Sequence, residues 1–303
     1  MSPSSAAPST GRPFGAVLTA MVTPFTPAGE VDLDAAGALA DHLVGLGHDG
    51  LVVSGTTGES PTTSDAEKEA LLRVVLDAVG GRAKVVAGVG TNDTRHTAEL
   101  AREAEKAGAH GLLVVTPYYN KPPAEGLVAH FTAVADATDL PVMVYDIPGR
   151  AGVRITTPVL LRMAEHDRIV AVKDATGDLF AGSEVMARTG LVYYSGDDAL
   201  NLAWLAHGAA GVVSVVGHVA GAQYAEMVRA MDAGDVAGAR AVHDRLIPAV
   251  TAIMTRTQGA IMAKAALELQ GVLTNRTMRL PLVPATDEQV SALRTDLVAA
   301  GLL

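Results

Sequence analysis

Eight short apolar runs, each followed by a longer stretch of helical periodicity, predict an α/β fold of the (β/α)8 TIM-barrel class. Two further observations point the same way. No compositional break divides the repeating units, which argues against a pair of doubly wound sheets. After the eighth unit the chain stays helical to its end, which adds a C-terminal helical extension. The expected organisation is a disordered tail over 1–13, a barrel over 14–233 and the extension over 234–303.

The expected strands span 16–21, 50–53, 84–88, 111–115, 141–145, 169–173, 192–195 and 211–214. They read as nearly continuous Val, Leu, Ile and Ala, the pattern of strands covered on both faces. The expected helices span 34–46, 65–79, 94–107, 125–137, 158–166, 179–187, 200–207 and 223–233. Ser64 or Asp65, Thr157 before Pro158, and Asp198 before Ala199 supply start signals. Gly47, Gly80, Gly108 and Gly208 sit where helices end on glycine. The extension divides into helices at 236–253, 259–270 and 287–299, with an irregular connector at 274–284.

Composition narrows the function classes. Hydrophobic residues make up 49% and charged residues 18%, enough for a large core. A formal charge of −10 disfavours nucleic acid and anionic membranes as partners. The chain has no cysteine, which removes disulfides, thiolate metal sites and thiol nucleophiles and fits a cytoplasmic location. The first dozen residues, rich in Ser, Ala and Pro, lack the apolar core of a signal peptide, and no apolar segment reaches membrane-spanning length. Neither HExxH nor an EF-hand loop occurs, so no metal is expected.

In a barrel of this class the chemistry sits where the strands end. Lys173 closes the sixth strand, in RIVAVKDATG. Burial there lowers an amine's pKa, and a neutral amine attacks carbonyl carbon to form a Schiff base. The bland alternative is a rim lysine paired with Asp174. Tyr145 closes the fifth strand in the corresponding position and can move protons beside Lys173, or simply pack. The loop Ser54-Gly55-Thr56-Thr57-Gly58-Glu59-Ser60 can cradle a carboxylate on its backbone N–H groups, or serve as a plain strand-to-helix turn. Tyr118 and Tyr119 are adjacent, so an extended backbone turns one towards the pocket and one away. Arg150 follows a Pro-Gly turn, and its fork suits a carboxylate. Asp197 and Asp198 suit a helix N-terminus as well as a cation.

Taken together, GTTGES, TPYYNKP, YDIPGR, VKDATG, SGDD and GVVSV, in this order, resemble the pyruvate-dependent class I aldolase family, whose branches include dihydrodipicolinate synthases and N-acetylneuraminate lyases. The resemblance implies a (β/α)8 barrel with C-terminal helices, a homotetramer, and no metal, nucleotide or other cofactor beyond substrate pyruvate held as a Schiff base. It implies that Lys173 is the Schiff-base lysine and that Tyr145 exchanges protons in a hydroxyl relay with Thr56 and Tyr119. Tyr119 would reach across from a neighbouring subunit. Thr57, with the loop amides, would hold the pyruvate carboxylate, and Val213 and Gly196 would border the substrate. Arg150 would hold the carboxylate of L-aspartate 4-semialdehyde, which favours the synthase branch in lysine (diaminopimelate) biosynthesis. A sibling aldolase or dehydratase acting on a sugar acid would not need Arg150, and a non-catalytic keto-acid-binding barrel would not need the Lys–Tyr–Thr set. Two positions depart from the pattern. Asp146 stands where many synthases carry Asn, and is expected to brace or partly neutralise Arg150. Asp65, Lys68 and His96 stand where lysine-inhibited members carry two histidines and a glutamate, so lysine inhibition is expected to be weak or absent.

Overall fold

The computed structural model describes residues 11–303. Most of the expected tail therefore lies outside the described residues. Its last part is fixed, because the Arg12 guanidinium donates to both Asp232 oxygens at 2.6 and 2.9 Å.

Eight parallel strands close into one barrel in chain order: β1 Val17–Ala20, β2 Gly50–Val53, β3 Lys84–Gly88, β4 Gly111–Val115, β5 Val142–Asp146, β6 Ile169–Asp174, β7 Val192–Ser195 and β8 Gly211–Ser214. Each side chain that points inward is followed by one that points outward. Leu18, Val52, Val86, Leu113, Met143, Ala171 and Val213 fill the interior, with Phe14 among them. The outward set packs against helices α1 Leu33–Gly45, α2 Asp65–Val79, α3 Thr94–Ala107, α4 Ala124–Asp136, α5 Pro148–Ala151, α6 Thr157–Met163, α7 Leu179–Arg188, α8 Asn201–Ala206 and α9 Gly217–Asp232. Helices buried on one side and strands buried on both are what the apolar patterns require.

The extension consists of α10 Val236–Met254, α11 Gly259–Leu269 and α12 Asp287–Ala299. Helix α10 packs on α9 and α12. The stretch from Gly259 to Leu267 is buried without interruption, so α11 is enclosed rather than laid on the surface.

Local signals mostly act where expected. Ser64 caps α2 in a reciprocal capping box with Glu67. Gly47, Gly108 and Gly208 adopt φ of 95°, 94° and 97°. Gly80 does not: it ends α2 with φ −59°, in the right-handed region. Thr157 belongs to α6, and Thr156 is its cap position, since proline is tolerated anywhere in a first turn. Asp197, not Asp198, caps the short 3-10 turn Asp198–Leu200, accepting from the Ala199 N–H. Asp198 is buried instead and accepts from Asn201, from the Ser214 hydroxyl, and from the Val215 and Val216 N–H groups at 2.8 and 3.1 Å. Helix α5, which carries Arg150, has too few residues to show a helical period.

Candidate active site

The parallel register places Tyr145, Lys173 and Tyr194 side by side on β5, β6 and β7. All three point into the barrel by strand alternation. Lys173 is 4% exposed and Tyr145 5%. The Lys173 Nζ lies 4.2 Å from the centre of the Tyr145 ring. Burial pulls the Lys173 amine down from 10.5 to about 8; the nearby Arg150 charge adds to the drop and Asp198 opposes it. At about pH 7 roughly one such amine in ten is neutral, against roughly three in ten thousand at the ordinary value. Burial also raises the Tyr145 phenol, so it stays protonated until a reacting group takes its proton. Among the described residues neither the Lys173 Nζ nor the Tyr145 hydroxyl has a hydrogen-bond partner in the protein.

Asp174 follows Lys173 and faces the other way, accepting from the Thr176 N–H and hydroxyl, both at 2.8 Å. Its carboxylate is spent there and does not pair with the lysine. Gly196 makes room for the lysine: a Cβ at that position would lie 2.9 Å from Lys173 Cγ and 3.0 Å from Cε.

Above Tyr145 a cavity of ≈ 220 Å³ opens, whose walls include Thr56, Ser60, Tyr118, Tyr145, Ile147 and Arg150. The β2 loop forms one wall. Ser54 and Glu59 hold it in left-handed backbone conformation, with φ of 57° and 56°. Tyr119 and Lys121, in the loop after β4, have φ of 72° and 46°. Among the described residues, all four positive-φ residues other than glycine thus lie in the loops at the strand C-termini, where stored backbone strain marks function. Gly58 passes close beneath: its Cβ would meet the Met21 carbonyl oxygen at 3.1 Å, and its own carbonyl accepts from the Thr23 hydroxyl at 2.7 Å. The Gly58 and Glu59 N–H groups bond within the loop, while among the described residues those of Thr56 and Thr57 donate to no protein acceptor. Two adjacent free N–H groups beside a cavity suit one carboxylate.

Arg150 sits in α5, opened by Pro148 and closed by Gly152 in a left-handed conformation. Its guanidinium makes no ion pair among the described residues and lines the cavity. Asp146 does not brace it, contrary to the sequence expectation. Asp146 is the outward residue after Tyr145, and its Oδ2 accepts from the Ile155 N–H at 3.1 Å. Its Oδ1 is buried without a partner. Burial first, then the charge of Asp174 opposite, raises this carboxyl to about 7.

The remaining predicted residues fall as follows. Val213 is buried inside the barrel near Tyr145, and Thr57 is buried in its loop. Thr56 lines the cavity but makes no hydrogen bond to Tyr145 within the chain. Tyr119 stands clear of the cavity at 89% exposure, and Tyr118 lines it instead. The Tyr119 N–H donates to the Ala151 carbonyl at 3.3 Å, and Asn120 ties the loop to the Asn92 carbonyl at 2.8 Å. The structure thus fixes the backbone of Tyr119 while projecting its ring into solvent. Sequence reasoning did not assign Ser60 and Ile147 as wall residues, although both stand inside recognised motifs, GTTGES and YDIPGR, because a motif does not say which of its side chains face the cavity.

Comparison with known proteins agrees with this geometry. The family model of the Dihydrodipicolinate synthetase family matches residues 13–300. The chain is 71% identical over 291 residues to the 4-hydroxy-tetrahydrodipicolinate synthase of Kineococcus radiotolerans, covering 96% of this chain and 94% of that one. It is 65% identical over 289 residues to the synthase of Acidothermus cellulolyticus, covering 95% and 93%. A crystal structure of DHDPS from Cyanidioschyzon merolae with lysine bound superposes with a TM-score of 0.93 at 42% identity, covering 97% of this chain and 100% of that one. With a lysine–tyrosine pair at the strand ends, a carboxylate-ready loop and matches along nearly its whole length, the chain belongs to the dihydrodipicolinate synthetase family.

Proposed function

We propose that this chain catalyses the 4-hydroxy-tetrahydrodipicolinate synthase reaction, the Schiff-base condensation of pyruvate with L-aspartate 4-semialdehyde in lysine biosynthesis. The observation that carries the reading is the buried Lys173, its amine lowered to about 8, packed against Tyr145 beneath a cavity that holds an unpaired arginine. A neutral amine, a proton carrier and two anion sites are what this condensation requires.

Neutral Lys173 attacks the ketone carbon of pyruvate, whose carboxylate rests on the Thr56 and Thr57 amides. Tyr145 gives its proton to the forming hydroxyl and regains one from the nitrogen. Loss of water leaves the imine. The protonated imine draws electrons from the neighbouring carbon, a methyl proton leaves and an enamine forms. The enamine carbon attacks the aldehyde carbon of the semialdehyde, whose carboxylate pairs with Arg150, and the aldehyde oxygen takes a proton. The amine of the second substrate then attacks the imine carbon and expels the Lys173 amine, closing the ring. Holding both carboxylates removes much of the entropic cost of joining two small molecules. In this reading Val213 and Gly196 border pyruvate, and Tyr119 completes the relay of Thr56 and Tyr145 in a neighbouring protomer. The free ring of Tyr119 on a fixed backbone supports that assignment, and with it a homotetramer built from dimers.

Borohydride reduction in the presence of pyruvate tests the chemistry. A covalent adduct on Lys173, absent in Lys173→Ala, is expected; no adduct on the intact chain would refute the reading. Turnover with aspartate semialdehyde, beside sialate and sugar-acid substrates, separates the synthase from its siblings. Arg150→Ala should keep the pyruvate adduct and lose turnover with the semialdehyde.

A further inference from the structure

The buried ion pair between Lys264 and Glu59 joins parts of the chain 205 residues apart. Both side chains are 1% exposed, and their N–O distance is 2.6 Å. Lys264 belongs to α11 and also donates to the Thr277 carbonyl at 2.8 Å. The second Glu59 oxygen accepts from the Arg279 N–H at 3.0 Å. Both oxygens of Glu59 are therefore held from the C-terminal extension. The Arg279 guanidinium reaches back to the barrel, donating to the Gly29 and Thr62 carbonyls at 2.8 and 2.9 Å and to Glu67 at 2.5 and 2.9 Å. Lys264 and Arg279 also flank the Phe25 ring, at 4.1 and 4.6 Å from its centre.

Glu59 is, with Ser54, one of two residues of the β2 loop held at positive φ, and its N–H donates to the Thr56 carbonyl at 3.2 Å. Its own carbonyl accepts from the Thr62 N–H and hydroxyl at 3.0 and 3.1 Å. The contacts run without a gap from Lys264 through Glu59 to Thr56. An isolated loop would leave this strained conformation, because a glutamate at positive φ is disfavoured. For stability alone an apolar pair would serve as well, since desolvating two charges offsets their attraction. What the ion pair adds is direction: it fixes where the Glu59 carboxyl lies and therefore how its backbone turns.

We propose that Lys264 and Arg279 are positioning residues, which hold the Thr56 and Thr57 amides in carboxylate-binding geometry through Glu59 and make the C-terminal extension part of the active site. The inference rests on the proposed pyruvate chemistry. Neither residue touches substrate, and their effect falls on the pyruvate half-reaction alone.

The test is steady-state kinetics on the full chain, with borohydride trapping of pyruvate on the intact protein as the control. Lys264→Met leaves a buried carboxylate without its partner, and the pyruvate KM should rise about tenfold or more. In the same variant the semialdehyde KM and the kcat at saturating pyruvate should stay within about threefold. Should Lys264→Met fail to fold, the partly exposed contact of Arg279 is loosened by Glu67→Gln, and a selective rise of roughly threefold in pyruvate KM is expected. Unchanged pyruvate KM in the folded variants overturns the proposal, and so does an equal loss in all three parameters, which marks a merely structural role. Failure of trapping in the intact protein would instead overturn the pyruvate chemistry itself.

Discussion

Replacing Asp146 by asparagine should stabilise the protein increasingly as pH rises. Asp146 lies on the outer face of β5, opposite Asp174 on β6, with Oδ2 bound to the Ile155 N–H and Oδ1 buried and unpartnered. Its carboxyl titrates at about 7 in the folded protein against an ordinary 3.8. A folded value above the unfolded one means stability is full below the lower value and falls as pH rises towards the upper. Each pH unit in that window is worth about 1.4 kcal/mol. The unfolded state is already ionised at about pH 5, which weakens the wild type there by roughly 1.5 kcal/mol. At about pH 8 the deficit reaches roughly 4 kcal/mol. Asparagine keeps the acceptor for Ile155, offers a donor to Asp174 and never ionises. The advantage of Asp146→Asn should therefore grow by about 2–3 kcal/mol between about pH 5 and about pH 8. Urea unfolding reads this, with the single tryptophan, Trp204, stacked on Tyr193 in the core, as reporter. Protomer concentration is held constant throughout. An equal advantage at both pH values would refute the argument. The semialdehyde KM should not change, because Asp146 makes no contact with Arg150.

Other expectations follow from the same geometry. The rate of borohydride-trapped adduct formation should rise with pH through about 8, and Arg150→Ala should move that midpoint upward, since the Arg150 charge lowers the Lys173 amine; a midpoint near 10 in the intact protein would refute the burial argument. Gly196→Ala places a methyl group 2.9 Å from Lys173 Cγ and also 2.9 Å from the Asp174 carbonyl oxygen. Adduct formation should slow about a hundredfold for a loss of about 1–3 kcal/mol in unfolding stability, measured side by side. His96 and Lys68 both pair with Asp65, at 2.9 and 3.3 Å, so the Asp65 carboxylate is not free for a lysine ammonium. Turnover should be unaffected by L-lysine at about 1 mM, and inhibition below that concentration would refute the expectation.

Much of the barrel was legible because its signals are local. Five of the eight expected strands and three of the helices, α2, α3 and α12, match their observed limits, since apolar runs and caps act over a few residues. Strands β5 and β6 run one residue further than expected, because Asp146 and Asp174 read as loop residues until the sheet is seen to pair them. Helix α9 begins at Gly217, six residues before the expected start, since the glycines at 217 and 221 masked its period. At the site, Lys173 and Tyr145 were legible as polar residues ending apolar strands. The outward turn of Asp146 was not inferred, although the alternation that sends Asp174 outward applies equally to it.

The sequence by itself determined the alternation of strands and helices, the strand-end positions of Lys173 and Tyr145, and the glycine-rich turn after β2. These depend on periodicity and on the conformational range of single residues, which are properties of short segments. Only the tertiary structure decided that burial brings the Lys173 amine near neutrality, that Gly196 clears its path, and that Lys264 meets Glu59. The physical reason is range. A lysine in an apolar helix and a glutamate in a loop carry no pattern that pairs them, and closure of the barrel with its C-terminal helices is what brings the two charges together out of water.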